Sequence, residues 1–278
     1  MNIAITGGNG FLGSNIVKKL ILENHNINLL SKDQIKAKEE ILASNPDILI
    51  HCGWSGGNCY RDINHPDQFL KNIDYSICLL ESLKYINKKT KFIGFGSFAE
   101  YGPNDFIIDE NQQESPIDLY GLSKYTFNKY SELVCSQFNI DWVWVRPCYV
   151  YGLNDVLTRL IPRVINKCIN NEHIILDECA KIVDYIYVDD FIEIFYRLIT
   201  SSHTGIYNIC SGNQYHLKEI INKIHSLTKS KSEILYSPEL NRSTSSYICG
   251  NNKKVTQITK YIPQIGLEDG LIKTINQV

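Results

Sequence analysis

Three Tyr-x-x-x-Lys pairs stand in this 278-residue chain: Tyr85/Lys89, Tyr120/Lys124 and Tyr125/Lys129. On a helix, each pair puts a phenol and an ammonium one turn apart on the same face. A neighbouring cation favours the phenolate, so the tyrosine falls from its free pKa of ~10 and can exchange a proton near neutral pH. Spacing alone does not choose among the three. A second chemical signature opens the chain. "ITGGNGFLGSN" places Gly7, Gly10 and Gly13 between an apolar run and a helical pattern, with Phe11 and Leu12 between the last two glycines. The first glycine permits a tight turn, the second lets a pyrophosphate approach the backbone, and the third lets helix and strand pack closely. The anion then rests on the free N–H groups of the helix start, so the loop reads as a dinucleotide site. A third feature is Ser97 in "KFIGFGSFAEYG", where a strand-like run stops and Phe98 and Ala99 follow at once.

The elements that must position these groups are legible as alternation. "NIAIT", "INLLS", "DILIHCGW", "KFIGFGS" and "DWVWVRPCYVYG" are strand-like. They alternate with helical patterns such as "NGFLGSNIVKKLILENH", "IKAKEEILASNP", "FLKNIDYSICLLESLKYI" and "YGLSKYTFNKYSELVCSQF". Such alternation predicts right-handed crossovers and a parallel sheet covered on both faces. After Gly152 the pattern loosens. With no linker and no repeat, the later part is expected to pack against the first.

The formal charge is −2 and no block of like charges stands out, which argues against nucleic-acid or membrane-surface partners. The start lacks a secretory profile, and no apolar run reaches the ~18 residues of a membrane helix. The nine cysteines (52, 59, 78, 135, 148, 168, 179, 210 and 249) are scattered without a C-x-x-C pair. That usage points to a reduced, cytoplasmic protein without a metal site.

Taken together, Gly-x-x-Gly-x-x-Gly after Thr6, "SPIDLYGLSK" and Ser97 four residues before Tyr101-Gly102 resemble the extended short-chain dehydrogenase/reductase family. The resemblance selects Tyr120 and Lys124, and leaves the other two pairs as solvated helix faces. It makes Ser97, Tyr120 and Lys124 the catalytic residues, with the serine hydroxyl joining the tyrosine on a substrate carbonyl. It implies a Rossmann-type doubly wound α/β fold with a smaller C-terminal substrate-binding domain. Residues 1–151 would form the dinucleotide-binding part, 183–212 would return to it, and 152–278 would mainly bind substrate. Gly53 falls where the backbone passes close to the cofactor, and Asn72 where a structural asparagine ties elements together. Family members mostly act on nucleotide-linked sugars, and the resemblance implies a homodimer.

Departures refine the expectation. NAD-selective members carry an acid at the position of Ser31, which binds the ribose hydroxyls. Ser31 followed by Lys32 removes a carboxylate that would repel a 2′-phosphate, so NADPH is expected, with NAD(H) as the alternative. The stretch from Ser31 to Asp47 is too short for the usual third strand and helix. The family's arginine before Asp184 is Val183 here, and Arg159 or Arg242 could supply that diphosphate contact. Trp54 stands where alanine is common, and either flanks the sugar or fills core. Phe98 and Ala99 occupy the places of the acid and base of 4,6-dehydratases, and Ala99 that of the cysteine of 3,5-epimerase/4-reductases. The resemblance therefore points to reduction of a 4-keto-6-deoxy sugar nucleotide in deoxysugar or surface-polysaccharide biosynthesis. A 4-epimerase with retained NAD and a non-catalytic NADPH-binding regulator are the alternatives.

Overall fold

A computed structural model describes residues 1–56, 63–240 and 247–277. The chain opens as β1 (Asn2–Thr6), α1 (Phe11–Leu22), β2 (Asn26–Leu29), α2 (Gln34–Ser44), β3 (Ile48–His51), α3 (Asp67–Ser82), β4 (Lys91–Phe95), α4 (Leu119–Gln137) and β5 (Asp141–Pro147). It continues through β6 (Tyr149–Tyr151), α5 (Leu160–Ile169), β7 (Ile174–Leu176), β8 (Ile182–Val183), β9 (Tyr185–Tyr187), α6 (Val188–Thr200) and β10 (Gly205–Ile209). The last elements are β11 (Tyr215–His216), α7 (Leu217–Leu227), β12 (Ile234–Tyr236), β13 (Tyr247–Ile248), α8 (Lys253–Thr259) and α9 (Leu267–Ile275).

The main sheet runs β10-β5-β4-β3-β1-β2, and all of its pairings are parallel. Strand side chains alternate between faces, and the alternation divides the core in two. Ile3, Ile5, Ile50, Ile93 and Val145 face a cluster that includes Ile16 and Leu20 of α1 and Phe191 and Phe195 of α6. Ala4, Leu49, Phe92 and Trp144 face Ile41 of α2, Leu79 of α3 and Phe127 of α4. This is the doubly wound arrangement expected from the alternating elements. The first cluster continues without a break into Val164 of α5, Ile220 of α7 and Leu271 of α9, so the C-terminal elements share its core.

Between β2 and β3 there is one helix and no strand, which leaves β2 at the sheet edge. The outward amide of Ser31 is taken instead by Glu40 of α2, whose Oε2 accepts its N–H at 2.7 Å. The Asn28 side chain likewise donates to the Glu40 carbonyl. An unpaired edge amide would otherwise cost the desolvation of a backbone donor.

Candidate active site

Thr6 ends β1, and its Oγ1 accepts the Gly53 N–H at 3.0 Å while meeting His51 Nδ1 at 2.8 Å. His51 Nε2 in turn lies 2.8 Å from Ser76 Oγ on α3. Burial holds this imidazole down at about 3, so it stays neutral. Gly7 has φ +68°, and a Cβ there would come within 2.6 Å of the Gly53 Cα. At Gly13 a Cβ would come within 2.0 Å of the Gly7 carbonyl oxygen. Glycine is therefore required at both positions by the closeness of β1, β3 and α1. No side chain caps α1 at Gly10, and the first turn carries no acid. Its free N–H groups and positive dipole end suit a pyrophosphate, so the backbone cradle fits the dinucleotide read from the sequence.

The strand that delivers Ser97 is shaped by its glycines. A Cβ at Gly94 or Gly96 would strike the Trp144 ring, and at Gly96 also Glu100 Oε1. Ser97 then caps a short 3₁₀ turn, Phe98–Glu100, in a reciprocal box. Its Oγ accepts the Ala99 N–H at 3.2 Å, and its own N–H donates to Glu100 Oε1 at 2.8 Å. The cap thereby fixes the Ser97 hydroxyl at a cleft that Tyr120 also lines.

Helix α4 begins on Asp118, whose Oδ1 accepts the Gly121 N–H at 2.6 Å. Gly121 lets the helix start lie against the Ala99 carbonyl, which a Cβ would approach to 2.5 Å. Tyr120 and Lys124 thereby face the same cleft as Ser97. Burial raises the Tyr120 phenol, opposed by the Ser97 hydrogen bond and by Arg159. Lys124 is enclosed, donates to the Phe95 carbonyl at 2.7 Å, and is pulled down by burial to about 7. The other two Tyr/Lys pairs are occupied elsewhere. Lys89 pairs with Asp141 at 2.9 Å beside an exposed Tyr85, and Lys129 pairs with Glu114 at 3.1 Å.

One cleft of about 1540 Å³ is walled by Gly7, Gly10, Phe11, Leu12, Gly13, Ser31, Lys32, Gly53 and Trp54 at one end. Ser97, Phe98, Ala99, Tyr120, Lys124 and Arg159 wall the rest. Arg242 lies outside the described residues, as does Cys59. Phe98 borders the cleft, but its ring turns into a small apolar cluster, edge-on to Tyr101. Ala99 presents only a methyl group. Arg159 Nη1 donates to the Val150 carbonyl at 3.2 Å and lies 3.3 Å from Asp155 Oδ1, so its guanidinium is anchored at the cleft wall. Asn72 ties α3 to the loop after β3, accepting the Ser55 N–H and donating to the Ser55 carbonyl.

Sequence reasoning passed over two groups. Lys181 also lines the cleft, and burial lowers its ammonium. It stands two residues before Val183, the same-face spacing of an extended strand, which is the signal that could have pointed to it. Glu40 sits against the Ser31 backbone from nine residues away, with no motif to mark it.

The model of the NAD dependent epimerase/dehydratase family matches residues 3–210. The chain is 25% identical to the dTDP-4-dehydro-6-deoxyglucose reductase of Escherichia coli, over 99% of this chain and 97% of that protein. It is 24% identical to the dTDP-6-deoxy-L-talose 4-dehydrogenase (NAD⁺) of Aggregatibacter actinomycetemcomitans, over 80% of this chain and 88% of that protein. In fold it superposes on the UDP-glucose 4-epimerase of Thermotoga maritima with UDP-glucose at a TM-score of 0.91. Identity there is 21%, covering 100% of this chain and 98% of that one.

Proposed function

The chain belongs to the NAD dependent epimerase/dehydratase family, and within it we propose that it reduces a 4-keto-6-deoxy sugar nucleotide to the 4-hydroxy compound, using NADPH. The observation that carries the reading is the make-up of the turn from Ser97 to Glu100, whose first three residues wall the cleft and whose fourth lies enclosed beneath it. It offers one hydroxyl, two side chains without ionisable groups, and a carboxylate that is already consumed. Glu100 accepts from Arg146 Nε and Nη2 at 2.9 and 2.7 Å, from Trp144 Nε1 at 3.0 Å and from the Ser97 N–H. With no free acid and base at these positions, elimination of the C6 hydroxyl lacks its catalysts, whereas ketone reduction needs one proton donor.

In this reading Tyr120 gives its phenolic proton to the C4 oxygen. Ser97, held by its cap, donates a hydrogen bond to the oxygen as negative charge develops there. Lys124 places a positive charge beside the phenol and stabilises the phenolate left behind. The α1 N-terminus and Gly7–Gly13 hold the pyrophosphate of the dinucleotide, and Ser31 and Lys32 receive its 2′-phosphate. The nicotinamide cofactor, when bound, supplies the hydride. Arg159 and Lys181, which line the cleft, are in this reading the cations that meet the diphosphate of the sugar nucleotide.

The test is incubation of the protein with UDP-, dTDP-, CDP- and GDP-linked 4-keto-6-deoxy sugars, following loss of NADPH absorbance and identifying the product by NMR. The expected result is one NADPH consumed per 4-hydroxy product. Redox-neutral inversion at C4 with tightly held NAD would replace this reading with a 4-epimerase.

A further inference from the structure

Among the described residues, Lys124 is a buried cation without a counter-ion of its own. Its Nζ donates to the Phe95 carbonyl, and the carboxylate that faces it, Glu100, is bound twice over by Arg146. The other titratable groups around it, among the described residues, give no compensating charge. From β3 come the neutral His51 and the Cys52 thiol, which burial pushes up to about 12, and from its own helix comes Tyr120. A buried ammonium with one hydrogen bond is costly, and something must offset the lost hydration. The group in place to do so is an aromatic face: the Trp54 ring centroid lies 3.6 Å from Lys124 Nζ.

That ring is held rather than loosely draped. The indole Nε1–H donates to Oε1 of the buried Gln68 on α3 at 3.2 Å. The next residue, Ser55, is pinned to Asn72 of the same helix through both its N–H, at 2.8 Å, and its carbonyl, at 3.1 Å. Gly53, on the other side, is fixed by Thr6. The indole is thus anchored through its own Nε1–H, and the backbone is pinned on either side of it. We propose that Trp54 is a positioning residue for Lys124, its face serving in place of a carboxylate counter-ion and fixing the ammonium beside Tyr120. A carboxylate there would neutralise the lysine and repel an anionic ligand in the same cleft. A π face favours the ammonium form without adding a negative charge to the cleft.

The inference gives Trp54 a place in the proposed reduction, yet its central test does not depend on that reaction. The lysine Cε and Nζ resonances of the full chain, isotope-labelled and without substrate, report the Lys124 titration directly, with Lys124→Met identifying its signal. Three substitutions separate the two actions of the ring. Trp54→Phe keeps a π face, so Lys124 should titrate within a few tenths of a pH unit of wild type. Trp54→Leu keeps the site dry but removes the π face, so the titration should move lower by about one pH unit, the scale of a desolvated cation–π contact. Trp54→Ala admits water and should move it upward, toward an ordinary lysine. The alkaline limb of kcat should follow the same order if the proposed reduction holds. Leu and Phe variants that titrate together would overturn the proposal, as would an Ala variant indistinguishable from wild type. A correct NMR order without any keto-sugar reduction would leave Trp54 in place and remove the reaction instead.

Discussion

Arg146 closes on Glu100 through Nε at 2.9 Å and Nη2 at 2.7 Å, with both side chains wholly enclosed beneath the Ser97 turn. The pair lies next to the cleft but works as its floor. Glu100 carries the Ser97 N–H on its other oxygen, so the buried ion pair and the presentation of the serine are one construction. Among the described residues, Glu100→Gln should leave Arg146 with Glu114 as its one charged partner. Breaking a buried pair in this way costs about 3 kcal/mol or more, and the loss should appear as a lower midpoint in denaturant unfolding. An unchanged midpoint would show the pair to be dispensable.

Tyr120 should be the only one of the three motif tyrosines whose hydroxyl matters to turnover. Tyr120→Phe is expected to lower kcat by ~10²-fold or more while NADPH binding stays near wild type. Tyr125→Phe and Tyr85→Phe should leave kcat close to wild type, because their lysines are paired with Glu114 and Asp141. Equal damage from Tyr125→Phe would shift the assignment.

Cofactor selection should respond to two residues in opposite ways. Ser31→Asp places a carboxylate beside the bound ribose and should erase or reverse a preference for NADPH of ~1–3 kcal/mol. Glu40 already holds a carboxylate against the Ser31 N–H, where it would repel a 2′-phosphate received at Ser31. Glu40→Gln should therefore tighten NADPH binding by roughly two- to five-fold with NADH little changed, as partly screened charges of this kind do. Fluorescence titration with both nucleotides measures the difference. Equal changes for the two would make Glu40 a sheet-edge cap alone.

Incubation with a nucleotide-linked hexose that retains its 6-hydroxyl should yield no 4-keto-6-deoxy product. Missing acid–base assistance forfeits roughly 10²–10⁴-fold in rate. NMR of the reaction mixture decides it, and a dehydrated keto sugar would refute the reductase reading.

His51 predicts an acid limb of stability. Burial lowers its folded-state pKa to about 3 from an ordinary 6.5, so the unfolded chain takes up a proton that the folded one refuses. This contribution is fully present above pH 6.5 and is lost progressively as the pH falls toward about 3. Its slope reaches about 1.4 kcal/mol per pH unit where only the unfolded chain is protonated. Unfolding midpoints measured from pH 6.5 to 4 should show a shallower slope in His51→Gln than in wild type.

Local features of the chain were enough to set out the frame. Alternation of apolar residues with period two in "NIAIT" and "KFIGF" divides each strand between two faces, and that division is the doubly wound sheet. Gly13 is legible because the space it must leave is set by Gly7 and Gly8 a few residues away in the turn, whereas the neighbour that crowds Gly7 is Gly53, 46 positions on. Four residues make about one helical turn in all three Tyr/Lys pairs, so Tyr120 and Lys124 were legible only through their flanking "SPIDLYGLSK". The short segment from Ser31 to Asp47 also told in advance that a strand would be missing.

What the tertiary structure decided is how groups distant in the chain are charged and covered. Trp54 meets Lys124 across 70 positions, Glu100 meets Arg146 across 46, and neither contact leaves a spacing to read. The cap that Ser97 makes, and the Glu100 carboxylate beneath the turn that accepts its N–H, came only with the packing. Phe98, adjacent to Ser97, turned its ring away because the 3₁₀ turn points that position into the cluster with Tyr101 and Cys210. Periodicity fixes which face a side chain takes. The partner waiting on that face is set by how the helices and strands pack, and that partner determines whether a carboxylate or an ammonium is free to act.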